Sequence, residues 1–558
     1  MVKGEGGGSR RSSRRGPQRS KPPPRSSTTS SQSKAPTSRN RHRPSRRIRS
    51  VIKVQSPATT LPADLWTRLL PFLTWRDTTA MLTVCSEWRN VLKSAKKLHP
   101  EWKSTVLGPS SNGFESLELL RTNHLNWADT RFPPDLVLLS AASKDPSPWH
   151  TGGYWEEAIA AIEEAKLLPL KCRIVGFFTM NEVLRKNEQD AEEERGSSAV
   201  TLSISVAHLP ETTVEIAEFD RKDLRRCQRG VELENPFTEL EKNESPSFLL
   251  FGVNDQSASQ LVPVVEEWYP QAPVIGGVSP LIDRCVPLVT YFGAPFPQKR
   301  KNRASKRCSR PRSQVSFPST MLLRFHGNIG IKSFSSSGYY PVTPVLRCER
   351  TSEFKLAQMS TCDLVSLSHD DSEEPQLYPI MDLVEPAERF AIEQEGRMIN
   401  IFSCSESAPL DLLLSKSDVI PTTQVDLLEF VFWSSHGVML LPCFSWPEGA
   451  YGVLVSHQPT RTAQSLTEAV QSIKEALSSV NERAFGAFVV AGALDDVENS
   501  AHAKDVSQLC TEAFSTNLGG CLVSSSVGPV AFPGGFQALK TTQVQTHTTC
   551  GAIFFTKA

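Results

Sequence analysis

The sequence predicts an α+β protein: a short three-helix segment, then a large body of sheet and helix in two related lobes. Three observations lead there. Residues 61–92 read LPADLWTRLLPFLTWRDTTAMLTVCSEWRNVL, with apolar residues at helical spacing broken by short polar turns. From Pro134 onward, short apolar runs bounded by Pro or Gly alternate with amphipathic stretches. The 558 residues also exceed what one hydrophobic core ordinarily serves.

Composition divides the chain. Residues 1–50 hold 15 of the 61 Lys+Arg and one acid, Glu5, which leaves 46 basic against 59 acidic residues elsewhere, a balance of −13. An acidic body argues against direct nucleic-acid binding as its main purpose. The Ser/Arg/Pro-rich tail over 1–55 has too little apolar surface to offset chain entropy and is expected to be disordered. Its makeup also fits a transit peptide, against which Pro22, Pro23, Pro24 and Pro44 argue. No run approaches the roughly 18 apolar residues of a membrane span. The chain is expected in the cytoplasm and nucleus, a second basic cluster over 297–316 being compatible with a nuclear address. Twelve cysteines without a C-x-x-C pair point to reduced, mostly buried thiols and to no metal site.

The elements follow in order. Pro62 suits a first helical turn and Asp64 its dipole, with Leu65, Leu69, Leu70 and Leu73 sharing a face and Pro71 near the helix end. Thr74 or Asp77 can cap a second helix through Ala80, Met81 and Val84, and Cys85, Trp88, Val91 and Leu92 lie on a third. This segment is placed at 58–103, followed by a connector over 104–130. Residues 131–365 form the first lobe. There Pro134–Ser143, Lys171–Met180 and Ala199–Pro210 read as strands, and Trp155, Ile159, Ile162 and Leu167 stripe a helix. Ser245–Asp255, Ser257–Pro270 and Gln271–Pro280 repeat strand, helix, strand, ending at Gly276 and Gly277, where a turn or close backbone approach needs glycine. Further strands are expected at Thr320–Phe325, Gly330–Phe334 and Val342–Cys348. The acidic stretch at 366–378 reads as a loop before the second lobe, 379–558. Its helix over Ala463–Asn481 carries the stripe Leu466, Val470, Ile473, Leu477 and Val480, flanked by strand-like runs.

Signatures of catalysis are missing. The sequence contains no G-x-x-x-x-G-K-[ST], H-E-x-x-H, G-x-S-x-G or strand-linked G-x-G-x-x-G. His436 and His547 lie near apolar runs, and Cys85, Cys404 and Cys443 are conceivable nucleophiles, but none has a partner identifiable from spacing. No catalytic residue and no cofactor is assigned. About forty residues in three helices cannot bury the leucine and tryptophan of 61–92 internally, so some of that surface is expected to meet a partner.

In order and spacing, Leu61-Pro62, Asp64-Leu65, Leu69-Leu70, Leu73, Asp77, Val84-Cys85 and Trp88-Arg89 resemble the F-box. The resemblance implies docking on the Skp-family adaptor of a cullin–RING ubiquitin ligase, with Leu61, Pro62, Leu65, Leu69, Leu70, Leu73, Val84, Cys85 and Trp88 as adaptor-binding positions. PDLVLLSAAS, CRIVGFF, SISVAHLP, FLLFGVND, YPQAPVIGGVS and the closing SVGPV with QTHTTCGAIFF are similar in order to the FIST domain (F-box and intracellular signal transduction). Together the two resemble the F-box only protein twenty-two group and its plant relatives. The implied cleft or turn residues are Gly276, Gly277, Gly338, Gly528, Pro529, His547 and Thr548. Where FIST domains show a Gly-Glu-Ile-Gly-Pro-like turn this chain has SSSVGP, and where a Cys and an Arg-Gly pair are usual it runs VVAGALDD. These departures put ligand sensing in doubt.

The expected function is therefore a non-catalytic substrate receptor of an SCF-type ligase, docking on the adaptor and cullin core while the body holds an unidentified protein target. The alternative is a signal-transduction protein whose FIST-like body senses a small, amino-acid-like ligand.

Overall fold

The computed structural model describes residues 65–557 except 66–67, 85, 124–128, 151, 165–167, 170, 181–199, 241–244, 280–284, 293–314, 355–358, 368–375, 396–398, 415–425, 435–436, 441–445, 493–495, 515–516, 532–536 and 547. The tail, nearly all of the basic cluster at 297–316 and most of the acidic stretch at 366–378 lie outside the described residues. The fold is α+β, as expected.

Helix opens the described chain. Leu65, Arg68 and Leu69 are helical, a 3-10 turn covers Leu70–Phe72, and α1 (Trp75–Met81) and α2 (Ser86–Leu98) follow. Thr74 is the N-cap of α1: its hydroxyl accepts from the Asp77 N–H, and the Asp77 carboxylate accepts from the Thr74 N–H at 3.0 Å.

Behind it one strand order occurs three times. The first module runs β1 (Glu101–Ser110), α3 (Gly113–Thr122), β2 (Leu136–Ser143), α4 (Gly153–Glu164), β3 (Arg173–Thr179) and β4 (Val200–His208), with sheet order β1-β4-β2-β3. The second repeats it with β5 (Thr212–Phe219), α5 (Arg221–Gln228), β6 (Ser247–Gly252), α6 (Asp255–Trp268), β7 (Val274–Val278) and, after β8 (Leu288–Phe292) and β9 (Val315–Ser316), β10 (Thr320–Gly327), in order β5-β10-β6-β7. The third begins at β11 (Ile329–Ser337). In each, the two strands flanking the second helix are parallel and the last strand inserts antiparallel beside them. β8 and β9 leave the second module to extend the first sheet beyond β3.

A second sheet system interrupts the third module. It comprises β12 (Tyr339–Pro341), β13 (Leu346–Phe354), β14 (Met359–Leu367), β15 (Tyr378–Pro379), α7 (Pro386–Glu395), β16 (Ile399–Cys404), α8 (Ala408–Leu414), β17 (Asp426–Ser434), β18 (Gly437–Leu440) and β19 (Tyr451–His457). Because β16 pairs with both β17 and β19, the path β19-β13-β14-β18-β17-β16 closes on itself. The module then resumes with α9 (Pro459–Ser479), β20 (Ala484–Gly492), α10 (Asp496–Phe514) and β21 (Asn517–Val523). β22 (Ser525–Ala531) and β23 (Gln537–Gln545) cross to β7, and β24 (Thr548–Thr556) completes the order β11-β24-β20-β21.

The sheet alternation makes the architecture. Leu136 and Leu138 face a common core, where they join Leu249, Phe251, Met321, Phe488 and Phe554 from the other two sheets. Val137, Leu139 and Ala141 face Trp155, Ile159 and Ile162 of α4. In the second sheet Phe248 and Leu250 face α6 in the same way, and in the third Ala487 and Val489 face α9 and α10. Three sheets thus converge with their helices outside. Trp102 stacks on Phe554 at 4.5 Å, and Phe251 meets Phe177 and Phe488 at 5.2 and 5.8 Å.

A cyclic set of hydroxyl bonds ties the three together. Thr179, at the end of β3, donates to Leu522 O of β21 at 2.5 Å; Ser279, just past β7, donates to Phe178 O of β3 at 2.7 Å; Ser524, just past β21, donates to Val278 O of β7 at 2.9 Å. Equivalent positions of each module therefore satisfy a carbonyl of the next.

Several expectations need correction. Three modules with an inserted closed sheet replace the two-lobe division, and strands from both sides of 366–378 share sheets. The connector over 104–130 contains most of β1 and all of α3; its polar, Gly-Pro-interrupted strand forms by pairing with β4. Val480 is not part of the buried stripe of α9. It is the C-cap residue, 51% exposed, whereas Leu466, Val470, Ile473 and Leu477 are buried. Leu167 lies outside the described residues.

Candidate functional site

The helical segment 65–98 presents two unlike faces. Leu70, Leu92 and Ala95 close over Phe132, with Leu73, Met81 and Leu82 packed alongside. Backbone bonds anchor this small core to the body. The Trp75 N–H donates to Thr130 O at 2.6 Å, and the Thr78 hydroxyl donates to Arg131 O at 2.9 Å. Glu101 accepts from the Arg131 N–H at 2.9 Å. Buried His208 of β4 has Nε2 3.2 Å from Lys96 O and Nδ1 3.1 Å from both Pro133 O and the Asp135 carboxylate. Lys97 pairs with Glu211 at 2.6 Å on the surface.

Away from that small core, large apolar residues of the segment are exposed. Leu65 is 38% exposed, Leu69 41%, Phe72 83% and Val84 60%. The implied adaptor-binding residues divide accordingly. Leu65, Leu69 and Val84 are exposed; Leu70 turns inward to the small core and Leu73 is half-buried against it, so these two hold the segment in place. Trp88 is half-buried. Leu61, Pro62 and Cys85 lie outside the described residues. Phe72, the most exposed of the group, is the residue sequence reasoning missed; the signal available was an aromatic directly behind Pro71, where the helical face turns.

The residues singled out in the body meet at one seam. Gly276 and Gly277 sit inside β7 and pair with Val527 and Ser526 of β22, two residues before Gly528 and Pro529. Thr548 of β24 pairs with Ser337 of β11, next to Gly338. His547 lies outside the described residues. The glycines there serve close approach. A β-carbon at Gly276 would overlap the Leu250 carbonyl, one at Gly277 would lie 2.6 Å from the Val490 side chain, and one at Gly528 would lie 2.5 Å from Cys550 Sγ. Neither Gly276 nor Gly277 forms the turn that was one of the two expectations for this pair.

Polar groups at the seam bond to one another. Ser335 donates to Pro529 O, and Gln545 Nε2 donates to Gly528 O and Pro529 O at 3.1 and 3.0 Å. The Ser526 hydroxyl reaches Thr548 O at 2.7 Å. Beside Gly338, the Tyr339 hydroxyl accepts from Asn400 Nδ2 at 2.7 Å and donates to Thr546 O at 3.1 Å, and His457 Nε2 lies 3.2 Å from the Thr462 hydroxyl. A buried network satisfied this way specifies packing.

The possible nucleophiles and bases fare no better. Cys404 is buried, as are Cys510, Cys521 and Cys550, whose thiols burial pushes up to about 12, about 12 and about 11. Such thiols are inert at neutral pH. His436 and Cys443 lie outside the described residues. Among the described residues no three His, Cys, Asp or Glu side chains are grouped to hold a metal, and no helix is long and apolar enough to cross a membrane.

One charged cluster is deeply buried. Arg324 of β10 is fully buried, donates to Glu215 and to Thr238 O at 2.9 Å and Tyr269 Oη at 2.6 Å, and lies 4.7 Å from the Phe237 ring centroid. It pins the segment around 237–238 against β5 and β10.

Neither a protein-family model nor a curated protein sequence matches the chain.

Proposed function

We propose that this chain is the substrate-recognition subunit of an SCF-type cullin–RING ubiquitin ligase. In this reading the segment 61–98 docks on the Skp-family adaptor, and the three-module body holds the protein to be ubiquitinated. The receptor breaks and forms no covalent bond. It contributes by fixing the distance between the target's lysines and the ubiquitin-conjugating enzyme, which raises their effective concentration.

The observation that carries the reading is the division of faces on that segment. Leu70, Leu92 and Ala95 fasten it to the body, while Leu65, Leu69, Phe72 and Val84 leave large apolar side chains in water. Apolar surface held open by a dedicated anchor is best explained by a partner. At the seam the glycines serve close approach and the polar groups bond to one another, which favours a binding scaffold over the ligand-sensing alternative.

The test is direct. The purified full chain is titrated with a Skp-family adaptor, beside an unrelated F-box protein as positive control. Saturable binding that disappears in a Leu65/Phe72/Val84 triple-alanine variant supports the reading; binding by the control alone sinks it.

A further inference from the structure

The first module carries a cleft that the docking segment does not use. It has a volume of about 390 Å³ and lies where the first turns of α3 and α4 meet the loop after β2. Leu117, Pro148 and Tyr154 line it, Phe114 stands at its side 77% exposed, and Asp145 and Glu157 supply carboxylates. Its scale is that of a site for a few side chains.

Local structure keeps the cleft formed. Asn112 caps α3, its side chain accepting from the Glu115 N–H at 3.0 Å, which fixes the helix start beneath Phe114. The Tyr154 hydroxyl shares a 2.8 Å bond with the Ser116 hydroxyl, so the ring lies as a rigid floor. The N–H and hydroxyl of Ser147 both donate to Asp145 and hold its carboxyl below the usual range, so that it is ionised at neutral pH. At Gly153 a β-carbon would meet nothing within 4 Å.

The charge decides the occupant. Each helix start contributes about half a positive charge. Against the two helix starts stand the full negative charges of Asp145 and Glu157, with Glu115 and Glu156 on the same first turns, and no Lys or Arg is among the described lining residues. The cleft's field is therefore negative, in a body that carries a −13 balance beyond residue 50.

We propose that this cleft binds an extended peptide segment of a partner protein in which an aliphatic or aromatic side chain is flanked by Lys or Arg. The apolar side chain sits on Tyr154 and Pro148 under Phe114, and the flanking cations meet Asp145 and Glu157. The proposal deepens the receptor reading and rests on it for its biological sense, since such a segment would be the recognised part of a target.

The probe is a fluorescent peptide with one leucine between two pairs of arginines, titrated into the full chain by anisotropy. Two controls carry serine for the leucine, or glutamates for the arginines. The leucine–arginine peptide is expected to bind at least about tenfold tighter than either control, and more weakly as salt rises from about 0.05 to 0.5 M. Phe114→Ala, at an exposed side chain, and Gly153→Trp, which fills open space, should each weaken it by about tenfold or more with the unfolding midpoint unchanged. Equal binding of either control, wild-type affinity in both variants, or no saturable binding overturns the proposal; a preference for the glutamate peptide would show that the helix starts outweigh the carboxylates. Adaptor binding is measured on the same wild-type chain. Its absence with peptide binding intact would refute the docking role alone, and the converse would refute the cleft alone.

Discussion

Replacing Phe72 and Leu92 separately by alanine tests whether the helical segment has one face for the fold and another for a partner. Fully burying a phenylalanine side chain is worth about 1.5–3 kcal/mol. Phe72 is 83% exposed, so about 2 kcal/mol becomes available only when something covers it. In the free chain Phe72→Ala should therefore change stability by no more than about 0.5 kcal/mol. On the adaptor it should cost about 2 kcal/mol, roughly a thirtyfold rise in Kd. Leu92 is 1% exposed in the small core over Phe132, and Leu92→Ala should cost about 2–5 kcal/mol in the fold itself. Hydrogen exchange of the amides between residues 70 and 98 reads the second effect, and calorimetric titration with adaptor reads the first. If Phe72→Ala accelerates exchange as much as Leu92→Ala does, or leaves adaptor affinity within about threefold, the division of faces is wrong.

Other outcomes follow from the body. Gly276→Ala forces a β-carbon into the Leu250 carbonyl and should abolish soluble expression or lower the urea midpoint more than any surface Gly→Ala change. Arg324→Ala removes the bonds to Glu215, Thr238 O and Tyr269 Oη, but Glu215 is 19% exposed and keeps the Thr238 hydroxyl at 2.9 Å, so the change should cost about 1–3 kcal/mol; Arg324→Met, which keeps volume but none of these bonds, is expected to cost about as much, and the paired change with Glu215→Gln should recover part of it in urea unfolding. Cys510, Cys521 and Cys550 have folded-state values raised far above the thiol's ordinary one, so the folded chain holds protons that the unfolded chain releases. Their stabilisation is complete below about pH 8.5 and is lost as pH rises beyond it, so the urea midpoint should fall between about pH 8 and 10 and fall less in a triple-alanine background of unchanged fold. Thr179→Val should cost about 1–3 kcal/mol by leaving Leu522 O unsatisfied, measured by the same unfolding.

Much of the secondary structure was written locally. β2, β3, β6 and β20 are largely apolar on both faces because each is covered by helix on one side and by the common core on the other, which is why they read as nearly unbroken apolar runs. α4 and α9 showed their buried stripes for the same reason. β1, β5 and β23 carry polar residues at alternate or irregular positions, and as outer strands of their sheets they take their conformation from the neighbour they pair with. No local pattern distinguishes such strands from a loop.

The site divides along the same line. That residues 61–92 hold more leucine and tryptophan than three short helices can bury is a property of the sequence alone, and so is the lack of any catalytic spacing. Which leucine faces which way is not. Leu69 and Leu70 are chain neighbours, yet one is 41% exposed and the other 6%, because Phe132, just over sixty residues on, covers only one of them. The three-module plan was equally out of reach, since it rests on strand order and on hydroxyls such as Thr179, Ser279 and Ser524, whose carbonyl partners lie as much as 343 residues away. Composition and periodicity act over one or two helical turns. Contacts that close over hundreds of residues depend on what the rest of the chain brings alongside, and only the tertiary structure decides that.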